Sequence, residues 1–412
     1  MAAEPGGSPA PTSAGGGDSG RTLRRKILYV AGYDPASPKK YHRLWQEQAP
    51  RQGALTGTRY DIGELKALDE ISSGWRIVAE HPGGERVEID YVFLHWFDLV
   101  RGAWRRDGPR LLLRSVRAFL DYHRHGIMSR ARAEAPVIAL ASSMPVLVGT
   151  AFLATLAVLT LVLCAAGGLI ARRLGAPWLV GALPPLLIWL FAVPLWGVVD
   201  RLLPVGWLAR GMIGVTEAGR GEIPGFAERA RAFARKIAEA AAEPGWDETL
   251  VIAHSMGGQQ ACRALGRALI DDPALGHERP VRLLTLGSLL PFYSMTAVMD
   301  AEYRREMAAL VAARQIAWID ITGPNDAACA AALHPLAGLD LGEPAARPLR
   351  FSPRFHAILE PERYRALKKQ PLELHFQYIR ASDVADGYDF FRLAAGPQPI
   401  TATVGAAQAE QA

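Results

Sequence analysis

"DETLVIAHSMGGQQACRAL", residues 247–265, runs the apolar segment Leu250–Ala253 into His254-Ser255-Met256-Gly257-Gly258 and then into a stretch of helix-forming residues. An unbroken apolar run closed by glycines reads as a buried central strand, and the segment behind it as a helix. A serine on so tight a turn needs a chemical reason. Its hydroxyl is a weak nucleophile that requires a base to take its proton and donors to hold an oxyanion. A sharp strand-to-helix turn lifts Ser255 out of the sheet and aims the first N–H groups of the helix at a reacting carbonyl. Such a turn is crowded, and its neighbours Ala253, Gly257 and Gly258 are small.

Alternating elements extend on both sides. "RKILYVAGYDP" (25–35) reads as a buried strand ending in a glycine loop, and residues 74–100 as two strands joined by the Pro82–Gly84 turn. Downstream, the pattern predicts a helix over 224–241 with Phe226, Phe233 and Ile237 on one face. It then predicts a strand over 280–288, a helix over 296–313, a strand over 315–326 and a last strand over 347–355. Strand–helix alternation implies a mostly parallel sheet with helices on both faces. Residues 36–73 and 328–346 show no clear pattern.

The motif at the turn is Gly-x-Ser-x-Gly with Ala253 in the first glycine position. With a strand before it, a helix after it and "HSMGG" inside it, the chain resembles the α/β-hydrolase family on its lipase and esterase side, over about residues 25–100 and 224–380. The resemblance implies a mostly parallel α/β-hydrolase sheet and a Ser–acid–His order along the chain. It makes Ser255 the nucleophile. For the acid, Asp326 in the Gly-Pro-Asn-Asp turn is favoured over Asp320 within the preceding strand. For the base, His375 is favoured over His356; its His-x-x-Tyr form, with Tyr378, is similar to the family's histidine loop. His334 also lies downstream, directly before Pro335. The N–H groups of Met256 and of the Gly32–Tyr33 loop are expected to form the oxyanion hole. Asp34 is expected to cap the following turn, His254 to point into the elbow, and His95 to line the pocket. No metal or organic cofactor is implied, and the chain has neither a Walker-type loop nor a G-x-G-x-x-G turn after a strand.

Half of the 412 residues are hydrophobic, although the net charge is +5. The excess is explained by residues 137–170 and 174–199, neither of which contains a charged side chain apart from the Arg172–Arg173 pair between them. A membrane span takes roughly 20 apolar residues, so 136–200 is expected to form a two-helix transmembrane hairpin inserted in the hydrolase core. Pro184, Pro185 and Pro194 also allow a broken or re-entrant second helix. Arginines flanking the pair place both long flanks in the cytoplasm. Residues 109–135 are expected to be an amphipathic juxtamembrane helix, with Arg110, Arg114, Arg117 and Arg124 on one face toward anionic lipid and Leu112, Val116, Phe119 and Leu120 on the other.

The expected organisation is therefore a disordered tail (1–24), a first part of the core (25–108), the basic helix, the hairpin, a second part of the core (201–395) and a flexible tail (396–412). The cysteines, Cys164, Cys262 and Cys329, offer neither a disulfide framework nor metal-ligand spacing. The expected partners are a lipid bilayer and an ester or lipid substrate, with no nucleic acid; the pattern does not give an oligomeric state. The expected function is a membrane-bound serine hydrolase. The alternative is a membrane-tethered scaffold or regulator that keeps the fold without catalysis. A channel fits poorly with two apolar segments that contain no intramembrane charge.

Overall fold

The computed structural model describes residues 22–105, 110–175, 177, 183–341 and 348–403. Most of both expected tails, and the tip between the two apolar segments, lie outside these residues. The described ends are ordered parts of the fold. Residues 22–24 begin the first strand, and Ile400, expected in the flexible tail, is fully buried.

The fold is a mixed α/β arrangement around a nine-stranded, mostly parallel sheet. Its strands are β1 (Thr22–Val30), β2 (Arg59–Ile62), β3 (Lys66–Asp69), β4 (Ser72–Glu80), β5 (Arg86–Leu94), β6 (Glu248–His254), β7 (Val281–Leu286), β8 (Ala317–Ile321) and β9 (Leu349–Phe351). The order is β2-β4-β5-β1-β6-β7-β8-β9, with β3 also paired to β4. From β5 to β9 all pairs are parallel, whereas β4 runs antiparallel to β2, β3 and β5. Strand β6 is buried along its whole length because both of its faces meet side chains. Val251 and Ala253 join one hydrophobic cluster, and Leu250 and Ile252 join the other. Helices Phe226–Ala242, Gly257–Asp271 and Ala301–Ala312 cover the first face, and helix Pro38–Thr56 and the C-terminal helix Phe390–Ala395 the second.

Strands read on either side of the apolar segments do join one sheet, since β1 pairs with both β5 and β6. The helix expected over 296–313 is two helices, Leu290–Thr296 and Ala301–Ala312. Asp300 divides them by accepting the N–H groups of Glu302 and Tyr303 as an N-cap. The unpatterned stretch 36–73 holds a 19-residue helix, Pro38–Thr56, and two short edge strands.

Among the described residues one helix, Pro136–Leu174, is long and apolar enough to cross a membrane. Its first turns are held in the protein by buried Ile138, Ala139, Ala141, Ser142, Pro145 and Gly149. The roughly 25 residues beyond Gly149 reach about 37 Å, more than a bilayer core needs. Helix Leu183–Leu202 packs alongside it, with Trp196 against Phe152 and the Trp189 Nε1–H donating to Thr160 Oγ1 at 3.1 Å. These contacts make the two helices antiparallel.

The expected basic juxtamembrane helix is corrected. Residues 111–124 and 127–134 are separate helices, broken at Gly126 with φ +68°. The buried face of the first helix carries Ser115, Ala118, Asp121 and Tyr122, while Arg117 and Arg124 remain exposed. Arg114 forms a bidentate pair with Glu217 at 2.7 Å, Arg117 meets Glu222 at 2.8 Å, and Arg124 sits 3.7 Å from Asp121. Leu113 and Leu120 are 71% and 50% exposed. Glu217 and Glu222 lie about a hundred residues downstream, beyond the reach of local periodicity.

Candidate active site

Parallel register brings the ends of four strands level. Val30 is opposite Ala253, His254 opposite Leu286, and Leu286 opposite Ile321. The loops that follow β1, β6 and β8 therefore meet at the C-terminal edge of the sheet, where open α/β folds place their sites. Ser255 has φ +56°, a left-handed conformation that is uncommon for a residue with a Cβ. Its N–H donates to Leu286 O at 2.8 Å, which pins the turn to β7.

The tight turn accounts for two glycines. A Cβ on Gly257 would lie 2.3 Å from Val30 O, and one on Gly32 would lie 2.8 Å from Ser255 Cβ. The β1 loop and the serine turn are thus packed backbone to backbone. Gly32, Tyr33, Ser255 and Met256 all line one cavity. Met256 sits at the N-cap of helix Gly257–Asp271, so the expected donors stand around the serine. Asp34 accepts the Ala36 N–H at 2.9 Å, as expected of a turn cap, and also meets Lys40 and Tyr41.

Asp326 and His375, 49 residues apart, meet in the same place. His375 Nδ1 lies 2.7 Å from Asp326 Oδ2, and both side chains are buried. The other carboxylate oxygen accepts the Ala328 N–H at 2.9 Å. An imidazole that donates Nδ1–H to a carboxylate keeps its lone pair on Nε2. That Nε2 is buried without a hydrogen-bond partner among the described residues, and His375 lines the cavity with Ser255. No hydrogen bond joins Ser255 to His375 in this structure; catalytic contacts are often long in a free enzyme and tighten once substrate is bound. Tyr378 ties the two segments together, because its hydroxyl accepts the Gly323 N–H at 2.7 Å from the turn that carries Asp326.

His254 points inward, beneath the site. Its ring lies 4.7 Å from that of His375, centroid to centroid, and its Nε2 lies 3.0 Å from His375 O. Burial, with the adjacent His375 as the next cause, holds its pKa well below the usual histidine range. It is therefore a neutral platform under the second imidazole.

The rival residues lie elsewhere. His356 is exposed on the short helix Phe355–Ile358, 6.3 Å from the Tyr364 ring. His334 accepts the Leu336 N–H on Nδ1 at 3.2 Å, outside the cavity lining. His95, expected to line the pocket, instead meets Ser73 Oγ at 2.9 Å and takes no part in the lining. Asp320 is buried under β8, where Thr285 and Ser288 donate hydroxyls to it at 2.6 and 3.2 Å. Burial pushes its pKa up to about 6.

Because the native state holds the Asp320 proton more tightly than the unfolded chain does, stability should fall as pH rises from about 4 to about 6. Asp320→Asn should lessen that fall in denaturant melts across this window and leave turnover within a few-fold of wild type. A large loss of activity would instead make Asp320 the working acid.

Two groups of lining residues were not anticipated from sequence. Ile138, Ala141 and Ser142 come from the root of the long apolar helix, and Trp207, Leu208 and Met212 from helix Val205–Gly219. A Pro-bounded apolar run gave no sign that its first turns reach the sheet edge. No family model, curated protein or solved structure matches this chain.

Proposed function

We propose that the protein is a membrane-bound serine hydrolase of the α/β-hydrolase type, cleaving carboxylic esters. The carrying observation is the buried Asp326–His375 pair, with its orphaned Nε2 facing the cavity that holds Ser255 in a left-handed turn. In this reading His375 Nε2 takes the Ser255 proton as Oγ attacks the ester carbonyl. The carbonyl oxygen becomes an oxyanion held by the N–H groups of Met256 and of the Gly32–Tyr33 loop. His375 then hands its proton to the departing alkoxide, leaving an acyl-serine. Water, deprotonated by the same histidine, attacks that ester and releases the acid. Asp326 fixes the imidazole tautomer and stabilises its cation.

The membrane part of the reading takes Leu183–Leu202 as a second span beside Pro136–Leu174. Its support is their antiparallel packing and the outward exposure of apolar residues such as Leu161, Leu186 and Phe191. Positive charge on both flanks puts the catalytic domain in the cytoplasm.

A fluorophosphonate probe tests the chemistry on detergent-solubilised protein. Labelling is expected for wild type and His356→Ala, and is expected to vanish in Ser255→Ala and drop sharply in His375→Ala. A folded wild type that does not label would point to the scaffold reading, which the absent Ser255–His375 hydrogen bond would then favour.

A further inference from the structure

The cavity at Ser255 is walled on one side by helices that lead toward the bilayer. Ile138, Ala141 and Ser142 belong to the first two turns of Pro136–Leu174, the helix apolar and long enough to cross a membrane. Their outward neighbours Val137 and Leu140 are exposed, as is Leu147 two turns on. Helix Val205–Gly219, packed against Pro136–Leu174, also lines the cavity and begins three residues after Leu183–Leu202 ends. Tyr122, Leu289 and Phe292 close the back. Among the described lining residues there is no lysine or arginine, so nothing inside would neutralise an anionic group.

Resting on Ser255 as nucleophile, we propose that this cavity receives an uncharged hydrocarbon chain, the acyl chain of a membrane-resident ester. The chain enters sideways from the bilayer, past the root of the long apolar helix. The scissile carbonyl then stops at Ser255, where the apolar wall gives way to the polar edge of the sheet. A chain already in lipid reaches such a site without crossing water, and each methylene that leaves water for the cavity adds to binding.

Gly211 supplies the test. It lines the cavity, and a Cβ there would meet nothing within 4 Å. A side chain at this helical position can therefore fill the cavity without pushing on backbone, so Gly211→Trp should fold. The probes are alkyl fluorophosphonates of increasing chain length, applied to the full chain reconstituted in phosphatidylcholine nanodiscs. In wild type, the labelling rate at equal, sub-saturating free aqueous probe is expected to rise about threefold to fourfold per added methylene until the cavity is full. Gly211→Trp should flatten that series, while Leu161→Trp, far out on helix Pro136–Leu174, should not. A long-chain probe dissolved in the same nanodisc should label faster than an equal amount held in separate cyclodextrin complexes.

A second readout needs no chemistry. A bromine-labelled long-chain alcohol should quench the fluorescence of Trp207 in the Ser255→Ala protein, seen as a difference from the Ser255→Ala/Trp207→Phe protein. A flat wild-type series with Ser255 still labelled overturns the chain site and leaves the hydrolase reading standing. Absent labelling together with quenching overturns the hydrolase reading and keeps the chain site. Absent quenching overturns the chain site, and equal labelling from nanodisc and cyclodextrin overturns the lateral route.

Discussion

Ester turnover should fall by about four orders of magnitude in Asp326→Asn, and at least as far in Ser255→Ala, with both proteins folded. The argument for Asp326 is geometric. Its Oδ2 is the only described partner of His375 Nδ1, at 2.7 Å, and both side chains are buried. An asparagine presents either a neutral oxygen or an NH₂ group to the ring. With the NH₂ group there, the imidazole moves its proton to Nε2 and faces Ser255 with a donor where a base is needed. With the oxygen there, the imidazolium loses its counter-charge. Either way the barrier rises by several kcal/mol, since about 1.4 kcal/mol corresponds to a factor of ten. Stopped-flow hydrolysis of a chromogenic ester gives kcat, and circular dichroism checks the fold. Loss of less than tenfold in Asp326→Asn would remove it from the site.

The largest effect on stability is expected at Arg25, far from the cavity. Its guanidinium is fully buried and donates to Glu248 Oε1 through Nε at 2.8 Å. It also donates to Ala394 O at 2.7 Å and Gln398 O at 3.0 Å, joining the centre of the sheet to the C-terminal segment. Arg25→Ala leaves the Glu248 carboxylate buried without its cation and two carbonyls without a donor. Breaking such a pair costs about 3–5 kcal/mol, a large part of the 5–15 kcal/mol that holds a typical domain together. Urea unfolding in detergent should show the loss, whereas Arg25→Met/Glu248→Leu should recover much of it by removing both charges. Equal losses in the single and double variants would mean that packing volume, rather than the orphaned charge, sets the cost.

What could be read in advance follows from how locally each signal is written. Strand β6, the serine turn and the helix behind it are encoded in one continuous stretch, Glu248–Asp271, and the structure has them where the pattern put them. Asp326 and His375 could be named through the family resemblance of their turn and loop, but only tertiary packing of segments 49 residues apart brings them together. Arg114 and Arg117 were read without their partners, because Glu217 and Glu222 reach them only through tertiary packing. The cavity wall from Ile138 to Ser142 was hidden for a similar reason: an apolar residue reads the same whether it faces lipid, core or substrate.

The place of β1 in the sheet has a consequence for synthesis of the chain. Its partner on one side, β5, follows soon after it, but its partner on the other is β6, and the Arg25–Glu248 contact spans 223 residues. At about 5–20 residues per second, a ribosome needs roughly 10–45 s to supply that second partner. During the interval β1 offers a bare row of N–H and C=O groups, the kind of edge that recruits other chains. In the same interval the apolar helix must leave the ribosome and find its own environment. The nascent protein therefore passes through a state with its helix placed and its sheet half built, and a chaperone or the translocation machinery would have to guard that edge until residue 254 emerges.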